Sequence, residues 1–337
     1  MSLILRKPVY PAKPISSIKA LAATLRVSEQ ELASIANAAN TLYRPVKPKP
    51  GSTRQTFDAR LPLKPLHARI KSVILSRVVF PDYLTGSLKG RDYKTNASLH
   101  TNKAVIISED VKGFFGSVSG DLVYDVWHDF FGFNASVARV LTQLTTKDGA
   151  LPQGGIPSSY LANLALWRDE AVMHAKLTER GVTYSRYVDD MCMSSSQRLN
   201  SVSKKKIIAM VYGMLRKNGL YARRDKHNIT PATKQMIATQ LVVNRKAALR
   251  PERRANVRVA VFQAERAVSE HIDAIAACTA LDKAANKVGQ LGRFHPNLAA
   301  PLRKRIRHAR GKLPSQVGLS VLTGSDNLAN YGDPTSP

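Results

Sequence analysis

The sequence predicts an α+β chain built around an antiparallel sheet. Three observations carry that expectation. Ala104-Val105-Ile106-Ile107-Ser108-Glu109-Asp110-Val111 is a short β-branched run that reaches an acid, the pattern of a buried strand. Gly181 to Tyr184 reads as a strand entry and Ser194 to Ser196 as an exit, with Tyr187-Val188-Asp189-Asp190 at a turn between them. Elsewhere apolar residues recur at helical spacing, and the segment from Arg245 to Lys312 is helical in pattern and very basic.

Along the chain, Ile15, Ile18, Leu21 and Leu25 form one helical stripe, and Leu32, Ile35 and Ala39 a second that Ser28 is placed to cap. The stretch Arg44 to Gly51 is basic and rich in proline, so it must be extended or looped, and Arg54-Gln55-Thr56-Phe57 alternates like a strand. Such a hairpin can hold phosphates or can be a solvated edge. Leu66, Ile70, Val73 and Ile74 return to helical spacing, whereas residues 84–104 read as irregular, with Asn96 and His100 more simply structural hydrogen-bonders than catalysts. Helical stripes fill 119–146. Leu151 to Pro157 is a rigid Gly/Pro loop opening onto a helix with Leu161, Leu164 and Trp167. Ile207 to Leu215 is a helix ended by Asn218-Gly219, and Leu241-Val242-Val243 is the last clear strand. The tail from Pro314 is expected to be flexible.

Charge narrows the partners. The 337 residues hold 51 Lys+Arg against 24 Asp+Glu, a net +27, and that excess repels itself unless a polyanion neutralises it. Nucleic acid is therefore the first partner expected. An anionic membrane is the competitor, but no apolar run is long enough to span one and no basic amphipathic segment stands apart. Met1 to Lys13 has no signal-peptide pattern. Only Cys192 and Cys278 are present, which excludes a disulfide framework and a cysteine zinc site and fits a reducing cytoplasm.

Adjacent carboxylates at a turn repel each other, and a bound divalent cation is the usual reason to keep them. Taken alone, Asp189-Asp190 is more simply a solvated hairpin tip. Asp110, at the end of its own strand, changes the balance. An acid on one strand and an acid pair on a neighbouring hairpin is the arrangement for two Mg²⁺ ions about 4 Å apart, which activate a 3′-hydroxyl and steady a leaving pyrophosphate. Asp110 and Asp189 are then the bridging ligands, with Asp190 weaker or more distant.

With these residues in order the chain resembles a reverse transcriptase, and more narrowly the bacterial retron type. Asp110 to Val118 resembles the family's first catalytic motif, an acid followed five residues later by an aromatic. Leu151-Pro152-Gln153-Gly154-Gly155-Ile156-Pro157, with Leu161 to Leu164, resembles the second, and Tyr187-Val188-Asp189-Asp190 the third. Asn96-Ala97-Ser98-Leu99-His100 matches the N-A-x-x-H motif of retron enzymes. Two positions depart from the pattern: Val188 stands where alanine is usual, and the V-T-G triplet expected near 237–241 is absent, although Leu241-Val242-Val243-Asn244 remains.

The resemblance implies a right-hand polymerase: an N-terminal helical extension over 1–43, fingers over 44–106, a palm over 107–240 with a finger insertion at about 119–150, a basic helical thumb over 241–312, and the tail from 313. It implies RNA-directed DNA synthesis with catalytic acids Asp110, Asp189 and Asp190, and Val111 beside them in the metal-holding set. Lys49, Arg54, Phe115, Gln153 and Gly154 would bind the dNTP, Phe115 as the steric gate against a ribose 2′-hydroxyl. Lys226 would protonate the leaving pyrophosphate. Asn96, His100, Arg250, Arg253, Arg254 and Arg258 fall to RNA binding or to the subfamily motif. The partners implied are a structured noncoding RNA that is template and primer, the RNA–DNA hybrid product, and a separate effector protein in antiphage defence. The alternatives are another defence-associated reverse transcriptase with different priming, an RNA polymerase, and a non-catalytic RNA-binding scaffold.

Overall fold

The computed structural model describes residues 5–48, 51, 54–270 and 273–313, so Lys49 and the tail from Pro314 lie outside the described residues. The chain divides into two compact units, one ending at Thr239 and the other starting at Gln240.

The first unit opens with α1 (Ile18–Leu25) and α2 (Glu29–Ala38). Ser28 caps α2 by accepting the Glu31 N–H at 3.1 Å, as its place before the stripe predicts. Leu21, Leu25, Leu32 and Ile35 are buried in the core. The basic stretch forms an antiparallel hairpin of β1 (Tyr43–Val46) and β2 (Thr56–Ala59), in register from Tyr43↔Ala59 to Val46↔Thr56. Next, α3 (Leu63–Arg69) runs into a π turn over Ile70–Ile74.

Where irregular chain was expected there is a short helix, α4 (Tyr93–Ser98). Its first turn is closed by a capping box: Asp92 takes the Thr95 N–H at 2.9 Å and Thr95 answers at the Asp92 backbone. A helix of six residues shows no periodic stripe, so only the cap could have revealed it. Its Asn96 and His100 are 0 % exposed. Of the two roles open to them, RNA binding or the subfamily motif, their burial leaves no side-chain surface for RNA, and the simpler reading as structural hydrogen-bonders is the one seen: both side chains point into the protein. His100 Nδ1 and Nε2 each lie 2.7 Å from a serine hydroxyl, Ser194 and Ser185 respectively. Ser185 and Thr85 both donate to Asn96 Oδ1 at 2.7 Å. With the Ser185 proton committed to Asn96, His100 must donate from Nε2 and accept at Nδ1, a neutral tautomer set by the network. The motif staples α4 to the sheet.

The strands of the main sheet and the helices around it follow in order, β3 (Val105–Asp110), α5 (Phe114–Ser117), α6 (Gly120–Asp125), α7 (Ala135–Thr145), α8 (Ser158–Leu164), α9 (Glu170–Glu179), β4 (Val182–Tyr187), β5 (Asp190–Ser195), α10 (Ser201–Lys217) and β6 (Asn228–Pro231), and the short β7 (Ile237–Ala238) lies outside that sheet. The strand order is β4-β5-β3-β6, all neighbours antiparallel, so the acid-bearing strands β5 and β3 sit at the centre. No helical stripe marks α9 in the sequence. Its buried Ala171, Met173, Ala175 and Leu177 alternate instead of recurring every three or four residues.

The second unit holds a two-stranded ribbon of β8 (Leu241–Val242) and β9 (Ala248–Leu249) and three helices, α11 (Pro251–Ser269), α12 (Ala274–Gly292) and α13 (Pro296–Arg310). Val257, Val261 and Ala264 of α11, Leu281, Ala284 and Val288 of α12, and Leu302 and Ile306 of α13 are its buried residues. Arg305 grips Glu265 through Nε at 2.8 Å. Among the described residues no helix is long and apolar enough to cross a membrane.

Burial pushes the imidazole of His100 down to about 3 and that of His67, buried between Tyr43 and the Leu144 carbonyl, down to about 4. Both are neutral when folded and take up a proton near pH 6.5 when unfolded. Between pH 6.5 and those lower values the unfolded chain binds more protons, so stability falls as pH falls, by about 1.4 kcal/mol per pH unit for each group. Urea unfolding at pH 7.5, 6 and 4.5 should show this, and His100→Gln should remove about one group's share of the slope. A variant with the wild-type slope would refute the assignment.

Candidate active site

The acids are placed by strand register. In β3 and β5, Asp110 pairs directly with Asp190, and Ser108 with Cys192. Directly paired residues project from the same face, so both carboxylates emerge together at one end of the sheet. Their neighbours Glu109 and Met191 project from the other face. There Glu109, 2 % exposed, lies 2.6 Å from His227 Nδ1 and accepts from Tyr212 of α10 at 3.2 Å.

Asp189 is on the two-residue turn between β4 and β5. Such turns favour positive φ at the first central position, and Val188 adopts it at 57°. The turn is tied to the end of β3, because Val111 N–H donates to the Asp189 carbonyl at 3.0 Å. On the opposite edge of β3, Arg223 N–H donates to the Asp110 carbonyl at 2.7 Å and Lys112 N–H to the Tyr221 carbonyl at 2.9 Å. These bonds flank Val111, so its own N–H and carbonyl both face the hairpin. This is the orientation a Val111 carbonyl ligand needs.

Electrostatically the site is strained. Burial, then the charge of Asp110, raises the Asp189 carboxyl above the usual range, while Arg54 and Lys226 pull it down. Burial, followed by Asp189 and Asp110, pushes Asp190 up to about 7. Lys226 Nζ donates to Asp110 Oδ2 at 2.8 Å and offsets part of the repulsion. Among the described residues no cluster of three or more His, Cys, Asp or Glu side chains is closed tightly enough to hold a cation by itself. The donor set still fits a divalent cation. It offers hard carboxylate oxygens whose charge is destabilised by burial and by each other, and Mg²⁺ accepts one or two carboxylates with the rest of its ligands from phosphates.

The other residues singled out in the sequence divide by position. Phe114 is buried and Phe115 half-buried, their ring centroids 6.1 Å apart, immediately after β3. The Gln153 carbonyl accepts the Phe57 N–H of β2 at 2.8 Å. Gly154 has φ +103°, and a Cβ there would lie 2.6 Å from the Phe57 carbonyl oxygen, so the second motif lies flat against the fingers-like hairpin. Arg54 is exposed and its charge reaches Asp189. Arg250, Arg253, Arg254 and Arg258 belong to the second unit, at the start of α11. Arg253 there hydrogen-bonds Gln240, and Arg258 is exposed.

No motif in the sequence marks what lies under the turn. Arg186 is 0 % exposed and Glu170 1 %. Arg186 meets both Glu170 oxygens, at 2.7 and 2.8 Å, and also reaches the Val188 carbonyl at 3.0 Å and the Asn163 carbonyl at 3.0 Å. Asn163 in turn donates to the Gly86 carbonyl at 2.8 Å. A Cβ at position 86 would lie 2.4 Å from Val188 N. The one signal available was Arg186 in period-two alternation with Val182 and Tyr184, on the strand face those two residues bury, where a charge demands a buried acid.

The family model described as reverse transcriptase (RNA-dependent DNA polymerase) matches residues 46–241. The chain is 30 % identical over 312 residues to the Retron Se72 reverse transcriptase of Salmonella heidelberg, covering 89 % of this chain and 81 % of that one. It is 30 % identical over 196 residues to the Retron Ec48 reverse transcriptase of Escherichia coli, covering 54 % of this chain and 48 % of that protein. It is 27 % identical over 194 residues to the Retron Ec86 reverse transcriptase of the same organism, covering 57 % and 58 %. Strand order, paired acids and these likenesses agree: the chain belongs to the reverse transcriptases, the RNA-directed DNA polymerases, and among them to the bacterial retron type.

Proposed function

We propose that this enzyme copies part of a bound, structured noncoding RNA into DNA at the acids Asp110, Asp189 and Asp190. The observation that carries the reading is the register pairing of Asp110 with Asp190, with Asp189 on the adjoining turn and Lys226 on Asp110. Asp110, Asp189, Asp190 and the Val111 carbonyl would hold two Mg²⁺ ions, which when bound supply charge for the attacking hydroxyl and the leaving pyrophosphate. The protein's own part is to face the carboxylates one way and, through Lys226 on Asp110, to offset part of their repulsion. Arg54, with Lys49, holds the triphosphate, Arg54 by its planar fork. Gln153 and Gly154 line the nucleotide pocket on a loop whose backbone is fixed by Phe57. Phe115 stands as the gate against a ribose 2′-hydroxyl, and Lys226 gives a proton to the pyrophosphate.

In this assignment the β1–β2 region forms the fingers, the four-stranded sheet the palm and the helices after Gln240 the thumb. Arg250, Arg253, Arg254 and Arg258 of the thumb contact the RNA backbone, reading shape instead of base sequence. The RNA primes from an internal 2′-hydroxyl and remains branched to the DNA. The enzyme works in the bacterial cytoplasm, in antiphage defence, with a separate effector protein.

Primer extension with Mg²⁺ on an RNA template tests the acids: Asp189→Asn should lower dNTP incorporation by at least about 10²-fold. Incorporation equal to wild type would leave only an RNA-binding scaffold. Phe115→Ala should weaken discrimination against rNTPs by on the order of 10-fold or more; unchanged discrimination removes the gate. Sequencing the nucleic acid that co-purifies with the protein should return a covalently branched RNA–DNA species. An unbranched or untemplated product would reassign the priming.

A further inference from the structure

We infer that Arg186, locked by Glu170, and Gly86 are positioning residues that fix the Val188-Asp189 turn from beneath, an inference that rests on the proposed catalytic role of Asp189. The turn does not hold its shape by intrinsic preference. Val188 sits at φ 57°, a conformation that β-branched residues rarely adopt and that is strained for them. Something around it must impose that backbone.

Three contacts do so. Arg186 Nη1 donates to the Val188 carbonyl at 3.0 Å. Gly86 lies so close that only a residue without Cβ fits, since that atom would be 2.4 Å from Val188 N and 2.9 Å from the Tyr187 carbonyl carbon. Asn163 couples the two, donating to the Gly86 carbonyl at 2.8 Å while its own carbonyl accepts from Arg186 at 3.0 Å. The guanidinium cannot swing away. Glu170 holds Nε and Nη2 at 2.7 and 2.8 Å, Tyr184 Oη donates to the same carboxylate at 2.7 Å, and neither charge is exposed to water. The Phe114 ring closes the remaining side, its centroid 5.6 Å from the Arg186 guanidinium carbon.

Arg186 pairs with Met191 in the ladder, so it projects from the face opposite Asp110 and Asp190. It therefore acts on the reaction only through the turn. A buried ion pair is a poor device for stability, since well-packed apolar residues of similar volume often do as well or better. Apolar residues could not, however, grip the Val188 carbonyl.

The test is primer extension by the full chain carrying Arg186→Met together with Glu170→Leu. Removing both charges leaves no unpaired ion, so the protein should still melt cooperatively. The expected result is a kcat lower by on the order of 10²-fold, with KM for dNTP and Kd for primer–template within about twofold of wild type. Gly86→Ala, pressing on the turn from its other side, should give the same split. A pair that is merely structural would lower the melting temperature and leave kcat per folded molecule unchanged; that result in either variant overturns the inference. Should the double variant fail to melt cooperatively, Arg186→Lys replaces it. That variant keeps a charge against Glu170 but loses the arm that reaches Val188, and a wild-type kcat there is equally fatal. Asp189→Asn run alongside separates the two readings. An inactive Asp189→Asn with a fully active double variant removes the positioning role alone, whereas an active Asp189→Asn removes the catalytic reading beneath it.

Discussion

Arg186 and Glu170 form a fully desolvated ion pair, and the turn between β4 and β5 is tied to its surroundings through it. Breaking such a pair by removing one partner costs about 3–5 kcal/mol, because the survivor is left charged and unpaired. Its contacts run outward to the segment at Tyr83–Thr85 and to two helices. The Arg186 backbone pairs with the segment at Tyr83 and Thr85, at 2.8 and 3.0 Å. Its side chain reaches α8 through Asn163 and α9 through Glu170. The helices that carry Asn163 and Glu170 are thus fixed relative to a turn at the end of the sheet where the acids gather. A purely apolar contact, being non-directional, would leave that relation free to slide.

Two opposed electrostatic demands meet above this anchor. The chain as a whole carries +27 and draws in a polyanion. The end of the sheet instead gathers carboxylates whose repulsion lifts Asp190 to about 7 and raises Asp189. Phosphates attracted at long range would be repelled at the last few ångströms unless positive charge lay between. Lys226 and Arg54 supply part of it from the protein. They do not supply enough to bring both acids back to their ordinary range, and that residual deficit is the physical case for divalent cations bound with the nucleotide.

The fold and the acids were readable in the sequence where the governing relation was local. A β-branched run, a two-residue turn and an N-cap each fit within a few residues, and β3, the β4–β5 hairpin and α2 fall where those patterns put them. The distances that matter across the site were not readable. Nothing near Glu170 announces that it will meet Arg186, and a lone Gly86 in an irregular stretch looks like any loop glycine. Asn96 and His100 were visible as a motif, but the direction in which they point is decided by Ser185, Ser194 and Thr85, which fold beneath them from other elements. The short α4 and the stripe-less α9 escaped because periodicity needs several turns and a one-sided core.

Val188, where retron enzymes usually carry alanine, raises the question of whether Gly86 compensates for the larger side chain. Distances answer it. A Cβ at 86 would meet Val188 Cγ2 at 2.6 Å, which a smaller side chain would relieve. It would also meet Val188 N at 2.4 Å and the Tyr187 carbonyl carbon at 2.9 Å, and those are backbone atoms that any residue at 188 retains. Glycine at 86 is therefore demanded by the path of the hairpin and not by the identity of its first turn residue. The departure from the usual motif is absorbed locally, in a side chain 9 % exposed, while the backbone that carries Asp189 is fixed by constraints that do not depend on it.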